Sequence, residues 1–449
     1  MPNARIHLPL LLSGALVVTF AALDRPARAD EGCATAACHG AMMKKANPHP
    51  AADSCDSCHE STGESHPQKG KKTFKLTQAM PGLCTDCHDN PATKKHVHPP
   101  VQDGDCTTCH DPHASDQPKL LTAPVSELCT TCHGDKTEAA VLHGPVSAGD
   151  CTTCHDPHQS DVDKLLTAEQ PKVCFGCHSD VETTMAKKDV HPAIESGCTT
   201  CHDPHGAKNK NLLAEEGSAL CFTCHGDIDE AVTKATVAHA PVASEKGCAS
   251  CHSPHASDNE KLLLVAEKDT CTGCHKTVIT KAMTTLHGPI NEGKCTACHQ
   301  PHGAQNPQLL AKAFPAAAYV PYTDNEYALC FGCHNPDLAK YPDTGFATNF
   351  RDGESNLHYV HVHDAQKGRS CRMCHDVHGA DNEKLIAKTV KFGQWDLPLK
   401  YVKTENGGGC SPGCHKPYSY DRKNPGHITT PAKAPVAATA GGAGSGKPN

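Results

Sequence analysis

The chain has 449 residues, of which 30 are Cys and 34 are His, whereas one is Trp, nine are Phe and eight are Tyr. So few large apolar side chains cannot fill the core that this length implies, and another source of buried aromatic surface is expected. The formal charge is -8, and removing the net +2 of residues 1–29 leaves -10. This acidity argues against nucleic acid or an anionic membrane surface as a partner.

Residues 1–29 have the pattern of a secretory signal peptide. Arg5 supplies the positive n-region, Leu8 to Leu23 is apolar, and Ala27-Arg28-Ala29 forms a small-x-small cleavage site. The sequence therefore predicts export, with a mature chain that starts at Asp30. No later apolar stretch approaches membrane-spanning length, so no transmembrane segment is expected. Cys33 does not follow a lipoprotein signal, and no lipid anchor is expected there.

The cysteines carry the main signal, because all 30 fall into 15 pairs and each pair is followed at once by His. Two pairs have stretched spacing, Cys33 and Cys38 before His39, and Cys410 and Cys414 before His415. The other thirteen are C-x-x-C-H: Cys55, Cys58 and His59; Cys84, Cys87 and His88; Cys106, Cys109 and His110; Cys129, Cys132 and His133; Cys151, Cys154 and His155; Cys174, Cys177 and His178; Cys198, Cys201 and His202; Cys221, Cys224 and His225; Cys248, Cys251 and His252; Cys271, Cys274 and His275; Cys295, Cys298 and His299; Cys330, Cys333 and His334; Cys371, Cys374 and His375.

This spacing is typical of covalent haem attachment. Two thiols about one turn apart can form thioethers with the two vinyl groups of a porphyrin, and the next His then reaches the iron. Disulfides are an alternative in an exported chain, but they do not require a His after every second Cys. Zinc would need four ligands per site. The sequence predicts about fifteen haem c groups; for the two stretched pairs the alternative is a disulfide beside an incidental His.

The motifs recur in modules of two. Modules open at Cys33, Cys84, Cys129, Cys174, Cys221, Cys271 and Cys330, and a half module opens at Cys410. Such a period predicts a stacked array in which each unit contacts its neighbours. The predicted fold is irregular and haem-templated, with short helices and loops and little or no strand. The predicted divisions are a signal peptide at 1–29, an N-terminal two-haem module at 30–83, five two-haem repeats at 84–312, a divergent aromatic-rich three-haem region at 313–428 and a disordered tail at 429–449.

Each module also holds additional histidines, enough to give every iron a second axial ligand. In the repeats one such His follows the first motif, after a stretch such as DKTEAAVLH that we expect to be helical, and the other lies three residues after the second attachment His. The predicted second ligands are His49, His66, His98, His113, His143, His158, His191, His205, His239, His255, His287, His302, His363, His378 and His427. His96, His358 and His361 remain, the last two as alternatives to His363. Met42 or Met43 is an alternative ligand at the first haem.

The three-residue spacing also predicts connectivity. His155 and His158 are too close along the chain to approach one iron from opposite faces, so His158 is expected to bind a neighbouring haem, that of Cys129 or Cys174. The same reasoning applies to His113, His205, His255, His302 and His378. The alternative is that these residues lie beside a haem propionate and bind no iron.

At these residues the sequence resembles the multihaem c-type cytochromes with doubled CxxCH motifs, a group that includes pentahaem periplasmic donors to nitrite reductase and decahaem cytochromes inside an outer-membrane porin. The resemblance implies bis-His haems in a closely spaced chain that conducts electrons from periplasmic donors to an outer-membrane or extracellular acceptor. It implies redox-protein partners, such as an outer-membrane porin or another multihaem cytochrome. Two other functions stay open, a multihaem reductase of a small inorganic substrate and a subunit of an extracellular haem filament.

The C-terminal third differs in composition. All eight Tyr and Trp395 lie after residue 318. These aromatic residues are expected to provide local packing where the repeat is interrupted; the alternative is a docking surface, since aromatics are enriched at interfaces.

Overall fold

The computed structural model describes Cys33 and residues 39–426. The predicted signal peptide, Cys38, His427 and the predicted tail lie outside the described residues. The described chain divides into two units. The first comprises the described residues up to Thr137 together with Gly144–Ala168, and the second comprises Glu138–His143 and the described residues from Glu169 onward.

The helices of the described residues are all short, and the longest has nine residues. They are α1 Gly82–Thr85, α2 Pro99–Gln102, α3 Val125–His133, α4 Gly144–Ala148, α5 Lys172–Phe175, α6 Ser179–Met185, α7 Ser218–Phe222, α8 Gly226–Thr233, α9 Glu267–Cys274, α10 Gly288–Asn291, α11 Ala328–Phe331, α12 Asp337–Lys340 and α13 Leu357–Val362. Helices this short are not stable alone in water, so contacts outside the helix must hold them.

The strands are mostly two residues long. They are β1 Asn47–Pro48, β2 His59–Ser61, β3 Phe74–Leu76, β4 His96–Val97, β5 Ala114–Ser115, β6 Val141–Leu142, β7 Gln159–Ser160, β8 Asp189–Val190, β9 Gly206–Ala207, β10 Val237–Ala238, β11 Ala256–Ser257, β12 Thr285–Leu286, β13 Gly303–Ala304, β14 Arg351–Asp352, β15 Ser355–Asn356, β16 Gly379–Ala380, β17 Thr389–Phe392, β18 Trp395–Pro398, β19 Val402–Lys403, β20 Gly407–Cys410 and β21 Tyr418–Asp421. All the described sheets are antiparallel, and the largest has three strands, β19-β20-β21. The predicted irregular fold is confirmed.

One local prediction was wrong. In the stretch before His143, which we expected to be helical up to that residue, a single 3-10 turn spans Gly134–Thr137 and strand β6 precedes the histidine. Helices α6 and α8 do form in the next two modules, but strands β8 and β10 separate them from His191 and His239. The residue before each histidine is therefore extended because it pairs with another segment.

The two motifs of a module have different backbones. In the modules from Cys84 onward, the first motif begins on helix α1, α3, α5, α7, α9 or α11, whereas the first Cys of each second motif lies in a short 3-10 turn. A glycine with positive φ precedes several of these turns. At Gly149 (φ +78°) a Cβ atom would lie 2.5 Å from the Cβ of Ser126, at the start of α3, so the two motifs approach too closely there for any other residue.

Six two-residue ladders join consecutive modules. They are β1 with β5, β4 with β7, β6 with β9, β8 with β11, β10 with β13 and β12 with β16. In each ladder the first strand ends directly before one extra His and the second strand begins directly after another, as with His49 and His113. The backbone N–H of His49 donates to the carbonyl of His113 at 2.8 Å, and that of His98 donates to His158 at 2.9 Å. Each ladder thus holds two additional histidines side by side.

The apolar core of the described residues is small. One cluster of Met373, Ala387, Val390 and Leu399 is buried, and it packs against Phe392 and Leu397 of the hairpin β17–β18. Within the same described part of the chain, no helix is both long and apolar enough to span a bilayer.

A buried serine in each of three ladders connects the ladder to the turn that follows it. The Ser160 hydroxyl donates to the Leu166 carbonyl at 2.5 Å and accepts from the Val162 N–H at 3.0 Å, and Ser115 and Ser257 make the equivalent pairs of bonds. Ser160 is 5% exposed.

We therefore expect Ser160→Ala to lower the free energy of unfolding by about 1–3 kcal/mol, because it removes a buried hydroxyl that bonds two backbone groups and leaves the Leu166 carbonyl without that donor. Thermal or denaturant unfolding of the haem-loaded protein measures the change, and Ser196→Ala at an exposed position is the control. Equal stability of the two variants would contradict this role.

Candidate haem sites

Among the described residues, the ring of an attachment histidine faces the ring of a histidine outside the motifs in fourteen places, with ring centres between 5.8 and 6.5 Å apart. The first unit contains His39 with His66, His59 with His113, His88 with His49, His110 with His158 and His133 with His98. The second unit contains His178 with His143, His202 with His255, His225 with His191, His252 with His302, His275 with His239, His299 with His378, His334 with His287, His375 with His358 and His415 with His361.

This separation fits one iron between two imidazoles. Bonds of about 2 Å from the metal to each ring nitrogen, and about 1 Å from each nitrogen to its ring centre, place opposed ring centres about 6 Å apart. Rings in direct stacking contact would be closer. Each pair would supply two ligands to a haem iron, and the porphyrin nitrogens would supply the other four. Among the described residues, His, Cys, Asp and Glu side chains do not gather in groups of three or more suited to a metal ion.

Backbone carbonyls hold many of these rings by their second nitrogen. The His143 Nδ1 bonds the Pro204 carbonyl at 2.9 Å, and the His239 Nδ1 bonds the Pro301 carbonyl at 2.8 Å. Because a carbonyl can only accept, Nδ1 carries the proton and Nε2 is left for the metal. The second attachment histidines, such as His110, make a similar bond from Nδ1.

Four of the paired histidines are held in the protonation state that metal binding requires. Burial lowers the pKa of His98, His158 and His255, and it lowers the pKa of His358 to about 3. These side chains are therefore neutral near pH 7, and a neutral imidazole is the form that binds iron.

Twelve of the fourteen described pairs join consecutive modules, whereas His39 with His66 and His358 with His375 each lie within one module. In the repeats, an extra His that follows a first motif faces the first attachment His of the next module, as His98 faces His133. An extra His three residues after a second motif faces the second attachment His of the preceding module, as His158 faces His110. His113, His158, His255, His302 and His378 all follow the second rule. His155 and His205 stay predictions as ligands.

The connectivity predicted for His158 was therefore half right. His158 does not face its own attachment histidine, as its spacing required. It does not face the histidines of Cys129 or Cys174 either, because the ladder β4–β7 holds it beside His98 and opposite His110, in the motif of Cys106. The spacing excludes the iron that His155 would bind, but only the register of the ladder β4–β7 determines which other iron position His158 faces.

The prediction for His363 is contradicted as well. Helix α13 places His358 opposite His375 and His361 opposite His415. The His363 ring lies instead between Tyr322 and Tyr359, with ring centres 4.1 and 4.0 Å away, and its Nε2 bonds the Ala339 carbonyl at 3.1 Å. His361 fills the position opposite His415, and His427, outside the described residues, stays a prediction as a ligand. The i, i+3 spacing of His358 and His361 on a helix was the sequence signal for this pair.

Some aromatic residues of the C-terminal third provide local packing, whereas Tyr341, Trp395 and Tyr418 are more than half exposed. Tyr327 is fully buried and stacks on Tyr322 with ring centres 5.6 Å apart. Phe350 packs against both His358 and His361, at 5.1 and 5.7 Å. This group of rings holds the two histidines of α13, so the packing interpretation is supported. At the first motif of the chain, the ring of His66 faces His39, so His66 occupies the place for which Met42 or Met43 was the alternative ligand.

The cysteines of neighbouring motifs also meet. The thiol of Cys84 interacts with Cys106, that of Cys129 with Cys151 and that of Cys221 with Cys248, so the first Cys of both motifs in a module lie together. Burial, and then the Cys151 thiol, raises the pKa of Cys129 to about 11. No disulfide links the described cysteines. With thioethers in place of thiols, the same proximity would bring the edges of two porphyrins side by side.

The reassigned ligand can be tested by comparing His361→Gly with His363→Ala. We expect His361→Gly to convert one haem of the oxidised protein from low-spin to high-spin, because the haem of Cys410 loses its second ligand. Added imidazole should restore the low-spin signal, as measured by electron paramagnetic resonance. His363→Ala should leave the spectrum unchanged, and a high-spin haem in that variant alone would restore His363 as the ligand.

The comparison with protein families agrees with this geometry. The doubled CXXCH motif family matches the chain five times, at residues 98–138, 143–183, 191–230, 239–280 and 287–339. Each match contains two motifs and begins at an extra histidine that faces an attachment histidine: His98, His143, His191, His239 and His287. None of the curated proteins matches the chain. The repeated family matches and the histidine pairs that they contain identify the chain as a multihaem c-type cytochrome of the doubled CXXCH motif family.

Proposed function

We propose that the chain carries about fifteen haem c groups and conducts electrons along them from periplasmic donors to an outer-membrane or extracellular acceptor. The histidine pairs support this proposal most directly. A haem that binds a substrate needs an open or exchangeable axial position, whereas a haem that only transfers electrons has both positions filled. In all fourteen described pairs, protein side chains are placed on both sides of the metal position.

The chain has few residues for each haem, and this favours close spacing of neighbouring haems. Extra histidines of one module face the attachment histidines of the next, and cysteines of successive motifs meet, as Cys109 does with Cys132 and Cys251 with Cys274. Both features shorten the distance between neighbouring haems within a unit. When haem is bound, its iron supplies the electron exchange, and the protein supplies the spacing and the ligands.

The compartment and the partners follow from the N-terminal signal pattern and from the family. Covalent haem attachment behind an export signal favours the periplasm or the outer membrane. Redox proteins are the expected partners: another multihaem cytochrome would exchange electrons with the chain, and an outer-membrane porin would enclose it. The net charge of -10 on residues 30–449 favours partners that present a basic patch over nucleic acid.

One prediction of this function concerns the number of haems. The mass of the exported protein should exceed that of the polypeptide from Asp30 by fifteen haem masses, because fifteen Cys pairs precede a His. Intact-protein mass spectrometry counts them directly. Cys410→Ala together with Cys414→Ala should remove one haem, and a wild-type count of thirteen would show that the stretched motifs carry none.

Another prediction separates electron conduction from catalysis on a small substrate. We expect the oxidised protein to be low-spin at nearly every haem and to bind carbon monoxide slowly when reduced, because both axial positions are filled. Reduced protein should pass electrons to an electrode or to ferric chelates, with no saturable turnover of nitrite, hydroxylamine or sulfite. A prominent high-spin signal combined with turnover of one of these small substrates would identify a reductase instead.

A further inference from the structure

Six modules share an unusual turn after their second motif. Nine and ten residues after the attachment histidine, two consecutive residues have φ between +53° and +60°, in the left-handed region. The pairs are Lys119 and Leu120, Lys164 and Leu165, Asn211 and Leu212, Lys261 and Leu262, Gln308 and Leu309, and Lys384 and Leu385. We call this feature the left-handed pair. Residues other than glycine avoid this region because Cβ crowds the backbone, so six recurrences need a reason.

The left-handed pair holds the attachment histidine through two consecutive carbonyls. The carbonyl of its first residue bonds the Nδ1 of the histidine: Lys119 with His110 at 2.9 Å, Lys261 with His252 at 2.7 Å, and Gln308 with His299 at 2.9 Å. The carbonyl of its leucine accepts from the N–H of the residue after the histidine, as Leu262 does from Ser253 at 2.7 Å. Two left-handed residues in a row point both carbonyls toward the histidine.

The six turns share a backbone conformation, whereas the side chain at the first position of the left-handed pair varies. The first position is Lys, Asn or Gln and is exposed in all six turns. The second position is always Leu and is partly buried, which anchors the turn. The N-terminal module offers a natural comparison, because His59 lies in the hairpin β2–β3 and only Gly63 and Gly70 among its described residues have positive φ.

We infer that the left-handed pair is a positioning device that sets the reduction potential of the haem at each second motif. A carbonyl on Nδ1–H fixes the ring orientation and the tautomer and makes Nε2 a stronger donor. A stronger imidazole donor stabilises the oxidised iron, so the pair lowers the potential of that haem. The inference rests on haem attachment at these motifs and is independent of the donor and the acceptor.

The test uses Lys261 in the full-length, haem-loaded protein. Proline is locked near φ -65° and cannot adopt the left-handed conformation, so Lys261→Pro should turn the carbonyl away from His252. Glycine adopts that conformation without strain, so Lys261→Gly removes the same side chain and keeps the bond. Potentiometric titration monitored by electron paramagnetic resonance follows the low-spin haems of each variant.

We expect the Lys261→Pro protein to keep its full haem mass and to show one haem with a more positive midpoint potential or a shifted low-spin signal. The Lys261→Gly protein should titrate like the wild type. Should the proline variant lose haem, Leu262→Val gives a milder test, since a β-branched residue is disfavoured in the left-handed region. Identical titrations of the proline, valine and wild-type proteins would overturn the inference. That result would leave electron conduction untouched, because conduction is judged from the wild-type protein.

Discussion

The structure depends on one constraint: two histidines from separate segments must meet on opposite faces of one haem. A segment that holds an attachment histidine cannot also turn back to supply the second ligand within three residues. The chain meets this constraint by exchange, in which a two-residue ladder places two histidines side by side and directs each to a haem of an adjoining module. His98 and His158 show the pattern, one opposite His133 and the other opposite His110.

The same constraint explains how such a chain can be ordered with so few buried apolar side chains. Each metal position ties together residues that lie 17 to 79 positions apart, as for His358 with His375 and His299 with His378. Ligand bonds of this kind close long loops and so contribute directly to folding. They also offset local strain, since each non-glycine residue in the left-handed region costs about 1–3 kcal/mol. We expect the polypeptide without haem to be largely unfolded, because the ladders alone are too short to persist.

Much of the chemistry could be predicted from the sequence because it is local. Attachment needs two cysteines and a histidine within a few residues, and the repeat period gave the modules and most second ligands. The ligand connectivity was not predictable in the same way, since it depends on the register of ladders between residues 62 to 95 positions apart. His363 was misassigned because spacing alone could not tell which of three histidines faces inward; the rings of Phe350 and Tyr322 make that choice.

Ligand exchange between consecutive modules can be seen at the haem of Cys106, in an experimental structure of the haem-loaded protein that resolves both axial ligands. We expect His110 and His158 to bind that iron through their Nε2 atoms. Binding of His158 to the iron of Cys129 or Cys174, or a position beside a propionate without an iron, would contradict this exchange.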